Sequence, residues 1–200
     1  MTLIFATNNR HKVEEMQAAI GNSFQLITLL QAGIDIDIPE PHDTLEANAT
    51  EKSQTIYRLT GIDCFSEDTG LETEALHGEP GVKSARYAFP EALEGARDEK
   101  APEKNMEKLL QNLQPHANRR ARFRTVISLI LGGREFLFEG ICEGAIETAP
   151  RGSHGFGYDP IFTPHGASQT FGEMTLEQKS LYSHRRRAAD KLVSFLQSPG

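Results

Sequence analysis

The chain opens with a short unbroken apolar run, Leu3-Ile4-Phe5-Ala6, then a polar turn, Thr7-Asn8-Asn9. Val13, Met16 and Ile20 follow at helical spacing, so the opening predicts a buried strand, a loop and a helix. Asp43 and Glu46 have capping-box spacing ahead of a helix that runs toward Leu59; Gly61 ends it, and a strand is predicted over residues 62–66. Pro102 suits the first turn of another helix, with Met106, Leu109, Leu110 and Leu113 on one face. The period then changes to two: residues 120–131 and 134–147 read as long strands joined by a Gly132-Gly133 hairpin. Thr175 and Gln178 again have N-cap and N3 spacing, and Ser183 is placed to cap a last helix with Ala188, Leu192 and Leu196 inward. The alternation of strands and helices predicts an α/β fold, a mixed β-sheet flanked by helices. No repeat, low-complexity tract or linker interrupts it, so residues 1–200 read as one domain.

Composition narrows the function. At 38% hydrophobic residues the chain can fill a globular core. Its apolar stretches reach three or four residues, against roughly 18 for a membrane span, and no basic run precedes the apolar opening, so the expectation is a cytoplasmic protein without a membrane partner. Lys and Arg number 21 against 28 Asp and Glu, a net charge of −7. That balance argues against a nucleic-acid partner, because neutralising phosphates along a duplex needs excess cations; a small anion needs only a local basic pocket. Cys64 and Cys142 sit in apolar or strand-like surroundings and read as buried thiols.

The common catalytic signatures are missing. There is no GxxxxGK[ST], Gly155-Phe156-Gly157 runs into Pro160 where a dinucleotide motif needs glycine, HExxH is absent, and Arg151 stands two before Ser153 where GxSxG needs glycine. Four polar segments remain that an ordinary core does not require. Thr7-Asn8-Asn9-Arg10-His11-Lys12 lies at a strand-to-helix junction, where free backbone N–H groups and the helix dipole favour an anion and Lys12 adds a full charge; a solvated, Asn-capped turn would use the same residues. Ser66-Glu67-Asp68-Thr69-Gly70-Leu71 puts two acids after an apolar run, with a glycine suited to a tight turn. Such carboxylates suit Mg²⁺ or the removal of a proton from water, or are plain acidic turn residues. Residues 152–160 combine glycines with Phe156 and Tyr158, either stacking rings for a flat base or anchors into the core. Lys179 and Ser183-His184-Arg185-Arg186-Arg187 gather donors around a helix start, Arg186 and Arg187 reading as a solvated face. Arg120, Arg122 and Arg124 alternate with Ala121, Phe123 and Thr125, the pattern of a strand's outer face.

Taken in order, these segments resemble the inosine/xanthosine triphosphate pyrophosphatase family, the Ham1-type nucleotide hydrolases. The motifs are T-x-N-x-x-K (Thr7, Asn9, Lys12), D-[ST]-G-L from Asp68 to Leu71, P-G-V-x-S-A-R-Y from Pro80 to Tyr87, G-F-G-Y-D-P-I-F from Gly155 to Phe162, and M-T-x-E-x-K with S-H-R from Met174 to Arg185. The resemblance spans nearly the whole chain.

It implies Mg²⁺-dependent hydrolysis of deaminated purine triphosphates such as ITP, dITP and XTP to the monophosphate and pyrophosphate. It also implies an elongated, twisted mixed sheet with two lobes, an active-site cleft between them, and a homodimer. By motif position Asp68 is metal ligand and proton acceptor and Glu40 the second metal carboxylate. Lys12 and Lys52 fit the triphosphate with the turn from Thr7 to Asn9 and its neighbours Arg10 and His11. Thr69, Phe156, Gly157, Tyr158, Asp159, Lys179, His184 and Arg185 fit the nucleoside, donors from His184 and Arg185 meeting a 6-keto oxygen that adenine lacks. Two positions depart from the family pattern: Glu67 replaces the first aspartate of the usual triplet, with a longer arm able to shift a water or a carboxylate behind the metal ligands, and Arg186 stands where glycine is common. A pyrophosphatase for another modified or pyrimidine nucleotide, and a nucleotide sensor without catalysis, are the rival readings.

Overall fold

The computed structural model of the chain describes residues 1–89 and 100–198. Residues 89–96, which the sequence leaves open between a subunit contact and a surface loop, lie outside that range from position 90 on. The described strands are β1 (Thr2–Phe5), β2 (Gln25–Thr28), β3 (Cys64–Thr73), β4 (Pro80–Gly81), β5 (Arg120–Leu131), β6 (Arg134–Ile146) and β7 (Phe162–Pro164). The helices are α1 (Arg10–Ile20), α2 (Leu45–Thr60), α3 (Ala101–Leu113), α4 (Leu176–Ser180) and α5 (His184–Gln197). Hydrogen bonding orders the strands β2-β1-β3-β5-β6-β7, with β4 beside β3. The sheet is mixed: β1 is parallel to β2 and β3, while β3–β4 and β6–β7 are antiparallel.

Two compact units share the chain. The first holds the described residues of Met1–Asp68, Thr125–Gly140 and His184–Gly200; the second holds those of Thr69–Arg124 and Ile141–Ser183. In the first unit, side chains leave each strand on alternate faces. Leu3 and Phe5 of β1, Phe65 of β3, and Ile127 and Leu129 of β5 pack with Met16, Ile20, Ala188 and Leu192 from α1 and α5. Ile4, Cys64 and Ile130 pack with Ile56 of α2 on the other face. Phe5 and Phe65, register partners in β1 and β3, stack with ring centroids 4.5 Å apart. The second unit has its own core, in which Leu109 and Leu113 of α3 meet Phe123, Tyr158, Phe162 and Phe171.

Most of the predicted elements stand. Asn9 caps α1, Pro102 lies in the first turn of α3, and Thr175 with Gln178 makes a capping box at α4. Gly132 and Gly133, both at positive φ, join β5 to β6, and both cysteines are buried free thiols. Arg120 is exposed on β5 while Ala121, Phe123 and Thr125 are buried, as the alternation requires.

Three details differ. The cap of α2 is Thr44, whose hydroxyl accepts from the Ala47 amide at 3.2 Å, rather than Asp43. Ile62 is half exposed and precedes the strand, which begins at Cys64. Asp68-Thr69-Gly70 forms no turn but lies within the ten residues of β3. The glycine is needed there because a Cβ on Gly70 would sit 2.7 Å from the Gly81 carbonyl oxygen of β4; close approach of a neighbouring backbone, rather than a bend, selects it.

Candidate active site

Alternation along β3 decides what its two acids do. Ser66 points toward α2, its hydroxyl bonded to the Ala49 carbonyl; Glu67 points toward α1 and α5; Asp68 points toward α2 again. Adjacent in sequence, the carboxylates serve different faces of the sheet, so Glu67 does not act as Asp68's partner.

On the α2 face, the Lys52 ammonium bonds Glu40 Oε1 and stands 3.4 Å from Asp68 Oδ1. Lys52 and Asp68 are both buried. Burial by itself would lower the Lys52 ammonium, but Asp68 and Glu40 outweigh it and hold the group above the usual lysine range. Burial raises Asp68 above the usual carboxylate range; Lys52 opposes that and Glu40 adds to it. A buried carboxylate that holds a proton more readily than a solvated one, beside a cation, is the setting a general base requires. Glu40 reaches the cluster from the loop before α2, and Asn48 on α2 donates to Asp68 Oδ2 at 3.4 Å.

On the opposite face, the Arg185 guanidinium donates Nε to Glu67 Oε2 at 2.6 Å and Nη2 to Oε1 at 2.9 Å, and its Nη1 bonds Glu15. Lys12 Nζ lies 3.1 Å from Glu67 Oε1. Burial alone would raise Glu67, but Arg185 and then Lys12 bring it down to about 2; burial likewise opposes Arg185, yet Glu67 and Glu15 hold it above its ordinary value. The guanidinium expected to reach a nucleobase is therefore engaged by two carboxylates, because a charge removed from water needs partners.

The segment from Thr7 to Lys12 forms the predicted helix entrance. Thr7 Oγ1 accepts from the Asn9 amide at 3.2 Å, Asn9 Oδ1 accepts from the Lys12 amide at 3.2 Å, and the Asn8 side chain donates to the Ile36 carbonyl at 2.9 Å. Arg10 and His11 are exposed, with His11 Nδ1 3.8 Å from Glu14. His184 opens α5 and is buried; Gly140 permits this, since a Cβ there would lie 2.0 Å from the His184 carbonyl oxygen.

In the second unit, Asp159 and Lys179 are a buried pair, Nζ to Oδ2 at 2.6 Å. The Phe156 amide also donates to Asp159 Oδ2, at 2.8 Å, and the Lys179 ammonium lies 5.3 Å from the Phe156 ring centroid. Tyr158 is buried in the core with its hydroxyl on the Ser84 carbonyl at 2.9 Å, so of the two rings suggested for stacking on a base only Phe156 keeps partial exposure. Gly157 and Thr69 are half-buried.

The structure thus brings Glu40, Lys52 and Asp68 into one cluster and Lys12 and Arg185 into another. Sequence reading missed Asn48 and Glu15. The signal was spacing: Asn48 is four residues before Lys52 and Glu15 three after Lys12, each on the same helix face as the residue it serves with.

Comparison with known proteins identifies the family. Residues 3–195 match the sequence model of the Ham1 family. The chain is 43% identical to a dITP/XTP pyrophosphatase of Flavobacterium johnsoniae, covering 98% of both chains, and 45% identical to one of Christiangramia forsetii, covering 98% of this chain and 99% of that one. The solved structure of the Staphylococcus aureus Ham1 protein superposes with a TM-score of 0.84 at 35% identity, covering 98% of each chain.

Proposed function

The chain belongs to the Ham1 family, and from that membership we propose that it hydrolyses non-canonical purine nucleoside triphosphates (dITP, ITP and XTP) to the monophosphate and pyrophosphate. The observation that carries the reading is the Lys52 ammonium held between Glu40 and Asp68. A carboxylate able to take a proton from water, beside a lysine whose positive charge can meet a leaving pyrophosphate, is what an anhydride cleavage needs.

Mg²⁺ fits this donor set. No group of three or more His, Cys, Asp or Glu side chains able to hold a metal occurs among the described residues. Glu40 and Asp68 therefore suit an ion that completes its shell with water and phosphate oxygens, as Mg²⁺ does. Glu40 and Asp68 would hold the ion, and it would supply charge to the phosphate oxygens. Asp68 would take the proton of the attacking water, and Lys52 beside it would supply positive charge to the phosphates. Lys12 and the amides at the start of α1 attract the rest of the triphosphate. By the same membership His184, Thr69, Phe156, Gly157, Asp159 and Lys179 are assigned to the nucleoside, Phe156 as the stacking ring, while Tyr158 stays in the core and Arg185, engaged by Glu67 and Glu15, fixes the start of α5.

We treat residues 1–200 as a single pyrophosphatase domain that works as a homodimer on the cytoplasmic nucleotide pool, with no nucleic-acid or membrane partner. The net charge of −7 supports the first exclusion, and no helix among the described residues is long and apolar enough to cross a membrane. The test is a panel of dITP, ITP, XTP, GTP, ATP and dTTP with Mg²⁺, scoring pyrophosphate apart from phosphate. The reading expects pyrophosphate from the first three, with GTP and ATP slower by about a hundredfold, some 2.7 kcal/mol of discrimination. Equal rates on ATP, or phosphate as the product, contradict it.

A further inference from the structure

Asn48 is fully buried one helical turn before Lys52, and both donors and the acceptor of its amide are in use. Oδ1 accepts from the His42 amide at 2.9 Å, and Nδ2 donates to the His42 carbonyl at 3.1 Å and to Asp68 Oδ2 at 3.4 Å. Lys52 faces the other oxygen of the same carboxylate, Oδ1. Positions four apart share a helix face, so α2 brackets Asp68 with one donor per oxygen. The torsion that turns a carboxylate about its own axis is soft, and its orientation must come from such donors. His42 is two residues beyond Glu40, so the same amide also grips the loop that carries the second carboxylate.

We propose that Asn48 is a positioning residue: one buried side chain fixes the rotation of Asp68 and the placement of the Glu40 loop, and so sets the geometry in which the two carboxylates receive a divalent cation. The inference rests on the reading of that pair given above. It makes the amide's donor, rather than its bulk, the essential feature, and Asn48→Asp, which keeps the shape and the acceptor but turns a second oxygen toward Asp68, should be at least as harmful as Asn48→Ala.

The experiment compares wild type, Asn48→Ala and Asn48→Asp. Mn²⁺ affinity is measured by electron paramagnetic resonance with a non-cleavable α,β-methylene analogue of dITP present, alongside kcat and KM for dITP with Mg²⁺ and urea unfolding. Both variants should bind Mn²⁺ about tenfold or more weakly and lose about ten- to a hundredfold in kcat, with KM changed by less than about threefold, as for a group that acts on the reacting geometry rather than on binding. Variants with wild-type Mn²⁺ affinity and kcat within a factor of about two overturn the inference, whether or not their stability falls. A wild type that releases no pyrophosphate overturns the functional reading and this inference with it; an active wild type beside indifferent variants overturns this inference alone.

Discussion

Arg185 and Glu67 form a buried, doubly hydrogen-bonded ion pair that fastens the first turn of α5 to β3, with donor–acceptor distances of 2.6 and 2.9 Å. Because Glu67 is held at about 2 against an ordinary 4.5, the pair has a pH signature. A depressed carboxylate contributes its stability above about pH 4.5 and loses it as the pH falls toward 2. The linked contribution is on the order of 3 kcal/mol, counted once for the pair. Glu67→Gln should lower the unfolding free energy at pH 7 by about 3 kcal/mol and flatten its dependence on pH between 5 and 2. Urea denaturation across that range measures both; an unchanged acid limb in the variant refutes the assignment.

The lysine between the acids gives a second prediction. Lys52→Met removes the cation that the structure places against both Glu40 and Asp68. With that charge gone, Asp68 holds its proton more tightly, and pyrophosphate release should fall by about a hundredfold or more. The loss should appear mainly in kcat, measured at saturating dITP and Mg²⁺, and a wild-type kcat for this variant counts against a role for Lys52 at the reacting phosphates.

A third concerns the second unit. Asp159→Ala leaves the Lys179 ammonium buried without its carboxylate, a change that costs about 3–5 kcal/mol. Removing the ammonium as well, in Asp159→Ala with Lys179→Met, should restore part of that stability. Thermal and urea unfolding of the single and double variants decide it: a double variant no more stable than the single shows that the pair's charge is not what its burial depends on.

The sequence made α1, α2, α3, α5 and the β5–β6 hairpin legible because each carries a long enough period, and their caps or turns are local chemistry. The strands β2, β4 and β7 were not legible. At two to four residues they are too short to show a period, and pairing with a neighbour distant in sequence makes them strands. The candidate site was legible as a set of residue types, from Thr7 through Asp68 to Arg185, and less so as an arrangement. Glu67 next to Asp68 read as two acids in a turn, whereas the continuation of β3 through both sends them to opposite faces. Phe156 and Tyr158 read alike as stacking rings or core anchors, and Tyr158 is the core residue; nothing in a glycine-rich segment tells which of two aromatics turns inward. Asn48 and Glu15 went unread because a buried polar residue on a helix looks like a surface one until its partner is placed.

Gly140 tests how the start of α5 is set. A Cβ there would fall 2.0 Å from the His184 carbonyl oxygen and 2.5 Å from the Ala188 amide nitrogen, both backbone atoms, so Gly140→Ala must displace the turn that carries His184 and Arg185. The expected result is a destabilisation of about 2 kcal/mol or more together with reduced turnover. A melting curve and kcat/KM like those of the wild type would show that α5 yields without consequence.

The central claim is that Asp68, in the cluster with Glu40 and Lys52, carries the cleavage. Its most direct test is pyrophosphate release from dITP by wild type and Asp68→Asn side by side, with Mg²⁺ and equal amounts of folded protein. The substitution keeps shape and removes the charge that takes the proton. The account predicts a loss of about a thousandfold or more in kcat while the variant unfolds in urea much as the wild type does. Pyrophosphate released by Asp68→Asn at a rate close to wild type would contradict it.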